Sequence, residues 1–253
     1  AETCAQCNQC AYVCPHATIR PYTLNAEEAA AAPEGTKMVD HKMSKGKYKY
    51  ALAVSPLDCM GCSVCVSVCP TKSLKMVGQE SQLGEQKVFD YMVKDVTVKS
   101  DVAGTDNVIK SQYLKPYLEF SGSCAGCAET SYARLVTQLF GNRMYVSNAT
   151  GCSSIWGGPA ATSPYCMDKN GKGVAWANSL FEDNAEYGYG MNLAYKARRN
   201  ALKDKVAALA EKWSNYAEGK AACEAWIENM DDAEGSKTAA AELVKCLENC
   251  KEC

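Results

Sequence analysis

The spacing of the cysteines constrains this chain more than any other feature. Cys4, Cys7, Cys10 and Cys14 precede Pro15, and Cys59, Cys62, Cys65 and Cys69 precede Pro70, so the run C-x2-C-x2-C-x3-C-P occurs twice. Three thiolates on one turning loop reach three corners of an iron–sulfur cubane, and the fourth corner needs a thiolate arriving from another direction. This run holds [4Fe–4S] clusters, and in the two-cluster form the fourth cysteine serves the other cluster. The proline stops the chain from continuing along the same loop path. The expected ligand sets are therefore Cys4, Cys7, Cys10 and Cys69 for one cluster, and Cys59, Cys62, Cys65 and Cys14 for the other. Zinc ribbons use two separated C-x2-C pairs instead. With eight thiolates filling two clusters, His16 and His41 read as ordinary loop residues.

Composition narrows the class. The chain has 253 residues, 47% hydrophobic and 22% charged, an ordinary globular balance. Its 16 cysteines, in a chain long enough to build a core, point to metal in a reducing, cytoplasmic compartment rather than to a secreted disulfide scaffold. A net charge of -2 without a Lys/Arg block gives no nucleic-acid footprint. No run approaches the roughly 20 apolar residues of a membrane span, and no signal peptide opens the chain. Ala1 in place of Met, and a helical pattern running to Cys253, suggest a segment of a longer polypeptide.

The first module resembles the two-cluster bacterial ferredoxins. We place it at residues 1–105, with an insertion near 20–50 and a connector near 79–105. The insertion holds an Ala/Glu stretch (Ala26 to Pro33) and a basic one (Lys37 to Lys49). In the connector, Val93, Val96 and Val98 suggest a short strand. Residues 106–253 read as α/β with a helical tail. Tyr117 to Phe120 predicts a strand and Ala128 to Phe140 a helix, with Tyr132, Leu135, Val136 and Leu139 on one face. Met144 to Val146 predicts the next strand. Ligands of such sheets sit outside the carboxyl ends of strands. Cys124, Cys127 and Cys152 fall in loops of that kind, flanked by glycines that leave backbone N–H groups free for an anion. They suggest a third cluster with one ligand missing. Cys166 and Cys223 read as small buried hydrophobes. Cys246, Cys250 and Cys253 share the C-x3-C-x2-C spacing of radical S-adenosylmethionine enzymes, but among charged residues it reads first as one face of a solvated helix. Tyr187, Tyr189 and Met191 read as core.

Beyond these motifs, Cys124 to Met191 resembles the thiamine-diphosphate domain of pyruvate:ferredoxin oxidoreductases. The stretch Trp176-Ala-Asn-Ser-Leu-Phe-Glu-Asp-Asn-Ala-Glu-Tyr-Gly-Tyr-Gly-Met191 is especially similar. In that family a two-cluster module precedes this domain in the same order. The resemblance implies a ferredoxin-like α+β domain followed by part of an α/β thiamine-diphosphate-binding domain. It implies three [4Fe–4S] clusters, the third on Cys124, Cys127 and Cys152, with a fourth ligand from beyond residue 253. It also implies thiamine diphosphate with Mg2+, contacted by Glu129 and Cys152. The implied reaction is oxidative decarboxylation of pyruvate with coenzyme A to acetyl-CoA and CO2. Ferredoxin or flavodoxin would accept the electrons, and the implied partners include the rest of the same enzyme and a second copy in a homodimer. The family's Gly-Asp-Gly…Asn segment for Mg2+ and diphosphate does not occur here, and the general base is not identifiable. Two other readings stand beside this one: a ferredoxin-type carrier fused to an unrelated α/β domain, and an oxidoreductase for another 2-oxoacid.

Overall fold

A computed structural model describes residues 3–250. The chain forms two compact units, one up to Asn184 and one from Ala185. The sequence boundary near residue 105 lies inside the first unit. Within the first motif, the short helix α1 (Gln9–Tyr12) is followed by strand β1 (Ile19–Leu24). Helix α2 (Ala26–Ala31) opens on a capping box: Asn25 accepts from the Glu28 amide at 2.8 Å and donates its own amide to the Glu28 carboxylate at 2.9 Å. Strands β2 (Met38–Asp40) and β3 (Lys49–Val54) complete an antiparallel sheet of order β1-β3-β2. The insertion read as helix and loop thus also supplies two strands, because Lys49-Tyr-Ala-Leu-Ala-Val54 pairs residue for residue with β1.

Helix α3 (Val64–Ser67) lies in the second motif, and α4 (Glu85–Lys94) follows it. Val88, Phe89 and Met92 of α4 cover the sheet, closing a core with Leu24, Ala51, Ala53 and Val96. Full burial of side chains this size stabilises by about 1.5–3 kcal/mol each. The strand expected through Val93, Val96 and Val98 is absent: Val93 belongs to α4, and residues 96–99 are irregular. Of the three valines Val96 alone is buried, and Val93 and Val98 are exposed.

Helix α5 (Val108–Ser111) is capped by Asn107, which accepts from the Lys110 amide at 2.9 Å. The expected strand Tyr117 to Phe120 reduces to one bridge, Leu118 with Tyr165. Helix α6 spans Ala128–Phe140, as the sequence predicts. Strand β4 (Tyr145–Ala149), helix α7 (Cys152–Gly157) and strand β5 (Ala175–Ser179) form a parallel pair with its crossover. The first unit therefore joins an antiparallel helix-and-sheet module to a short parallel β-α-β run.

In the second unit, α8 (Asn184–Lys212, its first residue belonging to the first unit), α9 (Ala217–Asn229) and α10 (Gly235–Asn249) bury Val206, Ala210, Trp213, Ala222, Cys223, Leu243 and Cys246. Cys223 is a buried hydrophobe, as read. Tyr189 is 64% exposed and Tyr187 sits at the surface, against the reading of both as core. Leu193 and Tyr195 in the first half of α8 are exposed as well. Among the described residues, no helix is long and apolar enough to cross a membrane.

Candidate functional site

The two cysteine motifs share one backbone geometry. Gln6, Asn8 and Ala17 take positive φ values of 59°, 57° and 54°, and their counterparts Gly61, Ser63 and Lys72 take 67°, 65° and 50°. Short helices α1 and α3 occupy equivalent positions and end alike, at Val13 (φ -86°, ψ -5°) and Val68 (φ -86°, ψ -6°). The amide of Cys14 donates to the Ala11 carbonyl at 3.2 Å, and that of Cys69 to Val66 at 3.3 Å. Left-handed residues alternating with helical ones turn successive N–H groups inward, which makes a concavity for an anion. Left-handed non-glycine residues cost free energy; the first motif carries three, Gln6, Asn8 and Ala17, and the second two, Ser63 and Lys72, with Gly61 at the remaining position.

The thiols group across the motifs. Cys10 feels Cys4, Cys7 and Cys65 electrostatically, and burial together with these neighbours pushes its thiol up to about 12. Cys65 is pushed up to about 11 by burial, then by Cys14, Cys59 and Cys62. Cys14 thus couples to the second motif's cysteine. Hydrogen bonds reach the sulfurs from the Gln6 amide to Cys4 (3.4 Å) and from the Ser73 amide to Cys69 (3.3 Å), and the Thr18 hydroxyl lies 3.4 Å from Cys14. All eight thiols are free of disulfides. Among the described residues, no three Cys, His, Asp or Glu side chains converge as a single metal ion requires. A cubane has no such requirement, because it takes one thiolate at each of four separated corners. The donor set, the crossed coupling and the amides aimed at sulfur fit [4Fe–4S] clusters.

The histidines are more than loop residues. His16 is buried, and its Nδ1 lies 3.1 Å from the Ser121 carbonyl. From Ser121 a hydroxyl chain runs through Ser123 (2.9 Å) to Thr130 (3.3 Å) in α6. His41 is also buried, 3.2 Å from the Tyr113 hydroxyl and stacked on Tyr50. The Tyr50 hydroxyl donates to Asn8 between two motif cysteines. Both imidazoles brace the first motif against neighbouring segments.

The loop carrying Cys124 and Cys127 lies against the second motif. At Gly126, with φ of +76°, a Cβ would stand 3.5 Å from the Cys62 Cβ. The contact is ordinary but the backbone is left-handed, so Gly126→Ala is expected to cost about 1–2 kcal/mol. The check is a lower thermal midpoint with the iron content of the ferredoxin-like module unchanged. Cys127 caps α6, and Glu129 sits exposed in its first turn. Cys152 opens α7 just beyond the carboxyl end of β4 and is exposed. Glu129 interacts electrostatically with Tyr165, whose hydroxyl is pushed up to about 12 by burial and then by that carboxylate. Tyr165 stands between Trp156 and Trp176, with ring centroids 6.3 and 6.4 Å away. Cys166 is half-buried, its thiol 3.5 Å from the Pro116 carbonyl. Cys246 is buried with Cys250 packed alongside, so this face of α10 is not solvated as read. Cys253 lies outside the described residues.

The apolar face read for α6 is not its buried face. Tyr132 is 66% exposed, whereas Thr130, Arg134, Thr137 and Gln138 point inward. Arg134 donates to the carbonyls of Cys14 (3.1 Å) and Tyr12 (2.6 Å). The sequence reading missed this residue, although a polar stripe at i, i+4, i+7 and i+8 was visible from Thr130 onward.

Residues 3–73 match the model of the 4Fe-4S dicluster domain family. The pyruvate-flavodoxin oxidoreductase of Klebsiella pneumoniae is 50% identical over 249 residues, covering 97% of this chain and 21% of its own length. The chain matches one stretch of the pyruvate-flavodoxin and pyruvate:ferredoxin oxidoreductases. The pyruvate:ferredoxin oxidoreductase of Moorella thermoacetica is 49% identical over 243 residues, 93% of this chain and 20% of its own. The mitochondrial pyruvate dehydrogenase (NADP(+)) of Euglena gracilis is 45% identical over 213 residues, 83% of this chain and 12% of its own. The chain thus spans about a fifth or less of these oxidoreductases. The oxidoreductase match runs through both cysteine motifs and on into the parallel β-α-β run.

Proposed function

We propose that this chain is the electron-exit part of a pyruvate oxidoreductase that makes acetyl-CoA. The observation that carries the reading is the 50% identity over 97% of the chain, which takes in all three cysteine groups. The net reaction is pyruvate plus coenzyme A giving acetyl-CoA, CO2, one proton and two electrons. Residues 1–105 are the two-cluster domain and residues 106–253 the front of the thiamine-diphosphate domain. Cys4, Cys7, Cys10 and Cys69 hold one outer cluster, and Cys59, Cys62, Cys65 and Cys14 the other. Cys124, Cys127 and Cys152 hold the third. Gly126 lies against Cys62, so the third site adjoins the second motif. Electrons then step through the ferredoxin-like module to ferredoxin or flavodoxin.

Thiamine diphosphate, when bound with Mg2+, supplies an electron sink for loss of CO2 from a 2-oxoacid. The exposed Glu129 carboxylate and Cys152 thiol are open to such a group. Glu129 and Cys152 would contact that group, and Cys124, Cys127 and Cys152 would hold the third cluster. The diphosphate and Mg2+ ligands, the pyruvate pocket and the coenzyme A site belong to the rest of the enzyme, which works as a homodimer in a reducing cytoplasmic compartment.

The test uses the full-length protein, purified anaerobically. Pyruvate with coenzyme A is expected to bleach the iron–sulfur absorbance and release CO2. Bleaching by a different 2-oxoacid alone would reassign the substrate. Clusters that dithionite reduces but no 2-oxoacid does would identify an electron carrier and overturn the proposal.

A further inference from the structure

Among the described residues of the first unit three lysine or arginine side chains are buried, and two are paired with carboxylates. Arg20 meets Glu119, and Lys99 meets Glu28. Arg134 is the exception. It is 2% exposed, and every acceptor it reaches is a neutral oxygen: the carbonyls of Cys14 and Tyr12, and the amide oxygens of Gln112 (3.1 Å) and Gln138 (2.7 Å). Those amides are themselves held, Gln138 by donating to the Leu114 carbonyl at 2.9 Å and Gln112 by donating to Ser111 at 3.1 Å. Among the described residues, no carboxylate pairs with it. Its guanidinium is pulled down to about 10 by burial, and the first influence in the other direction is the Cys14 thiol.

A buried charge without a counter-ion is among the costliest features a fold can carry. A guanidinium keeps its proton at such a site, so the compensating negative charge must come from a neighbour. Cys14 is that neighbour, its carbonyl 3.1 Å from Arg134 Nε, and in the ligand sets proposed above it serves the cluster of the second motif. A cluster bound by four thiolates is an anion.

We propose that Arg134 is the built-in counter-ion of the cluster held by Cys59, Cys62, Cys65 and Cys14, and that it raises this cluster's reduction potential above what its ligands alone would set. The inference rests on the ligand sets proposed above. Adding an electron to an anionic cluster is eased by a fixed positive charge in a low-dielectric setting. The effect is confined to one half of the repeat. The positions equivalent to Tyr12 and Cys14 are Ser67, which is exposed, and Cys69, which is half-buried, so water screens whatever charge stands near them. Two loops of the same backbone geometry thereby hold clusters of unequal electron affinity, which gives an internal electron relay a direction.

The test is an EPR-monitored potentiometric titration of the full-length protein, with iron and acid-labile sulfide counted for each variant. Arg134→Gln is expected to keep its iron while one ferredoxin-module cluster becomes at least tenfold harder to reduce at a given potential, ~59 mV for a one-electron couple. Arg134→Lys keeps the charge and is expected to stay near the wild-type potential. If Arg134→Gln loses iron, Arg134→Lys decides: retained iron at the wild-type potential supports the counter-ion role. Iron loss in both variants, or an equal shift in both, would assign the residue to bracing carbonyls and overturn the proposal. An unshifted Arg134→Gln with full iron would overturn it as well. A wild-type protein without two clusters in this module would instead refute the underlying ligand sets, an outcome that the iron count separates from the others.

Discussion

Cys14→Ser is expected to empty the cluster site of the other motif, not its own. Cys14 follows Cys4, Cys7 and Cys10 in sequence, yet the thiol it influences is Cys65, while Cys10 responds to Cys4, Cys7 and Cys65. Under the crossed ligand sets, Cys14→Ser and Cys62→Ser damage the same cluster. Each variant should lose about four irons per chain, and the two should leave the same residual EPR spectrum. Cys7→Ser should leave the complementary one. The loss of magnetic interaction between neighbouring reduced clusters is the accompanying sign. A Cys14→Ser spectrum identical to that of Cys7→Ser would show that each motif keeps its own fourth cysteine.

The second large effect is expected at Glu28. Its carboxylate accepts from Lys99 Nζ at 2.6 Å, from the Thr97 amide and hydroxyl at 2.9 and 2.8 Å, and from the Asn25 amide at 2.9 Å. Burial alone would raise its pKa, but these donors, Lys99 foremost, bring it from 4.5 down to about 2. Glu28→Ala strands a Lys99 side chain that is 8% exposed and removes half of the capping box. Loss of one partner from a buried pair costs about 3–5 kcal/mol, so α2 and residues 97–99 should lose hydrogen-exchange protection together. The lowered carboxylate contributes stability that is complete above pH 4.5 and lost as pH falls towards 2. That slope should vanish in Glu28→Gln. The double variant Glu28→Leu with Lys99→Met should recover most of the loss, because neither charge is then stranded. A Glu28→Ala protein as stable as wild type would show that water replaces the carboxylate.

What the sequence made legible is what local geometry encodes. The ligand spacing of each motif is set by one turn of chain, so the paired loops could be read from letters. The bounds of α6 follow from its composition. Its orientation does not, because the rule that apolar faces turn inward fails where a helix supplies donors to the carbonyls of Tyr12 and Cys14. The expected strand through Val93 to Val98 failed for a related reason: Val88, Phe89 and Met92 form the buried face of a helix that runs on through the exposed Val93 to Lys94, and β-branched residues are too weak a signal to interrupt it. Tyr187 and Tyr189 read as core because they are large and aromatic, but residue type alone does not say which face of α8 is covered, and both are exposed. That Glu129 acts on Tyr165 of the Trp156–Tyr165–Trp176 aromatic group, and that Cys152 stands exposed beyond β4, depends on a crossover that only tertiary structure fixes.

The proposed crossing of the fourth ligands also has a topological consequence. A cluster bound by Cys14 and Cys65 closes the chain between those residues, and one bound by Cys10 and Cys69 closes it again around nearly the same stretch. The β1-β3-β2 sheet and α2 lie inside both closures. Under the proposed ligand sets the inorganic clusters would act as two nested cross-links, the iron–sulfur counterpart of a disulfide framework. Either one alone still pins the ends of the enclosed segment, so the module tolerates the loss of one cluster far better than the loss of both.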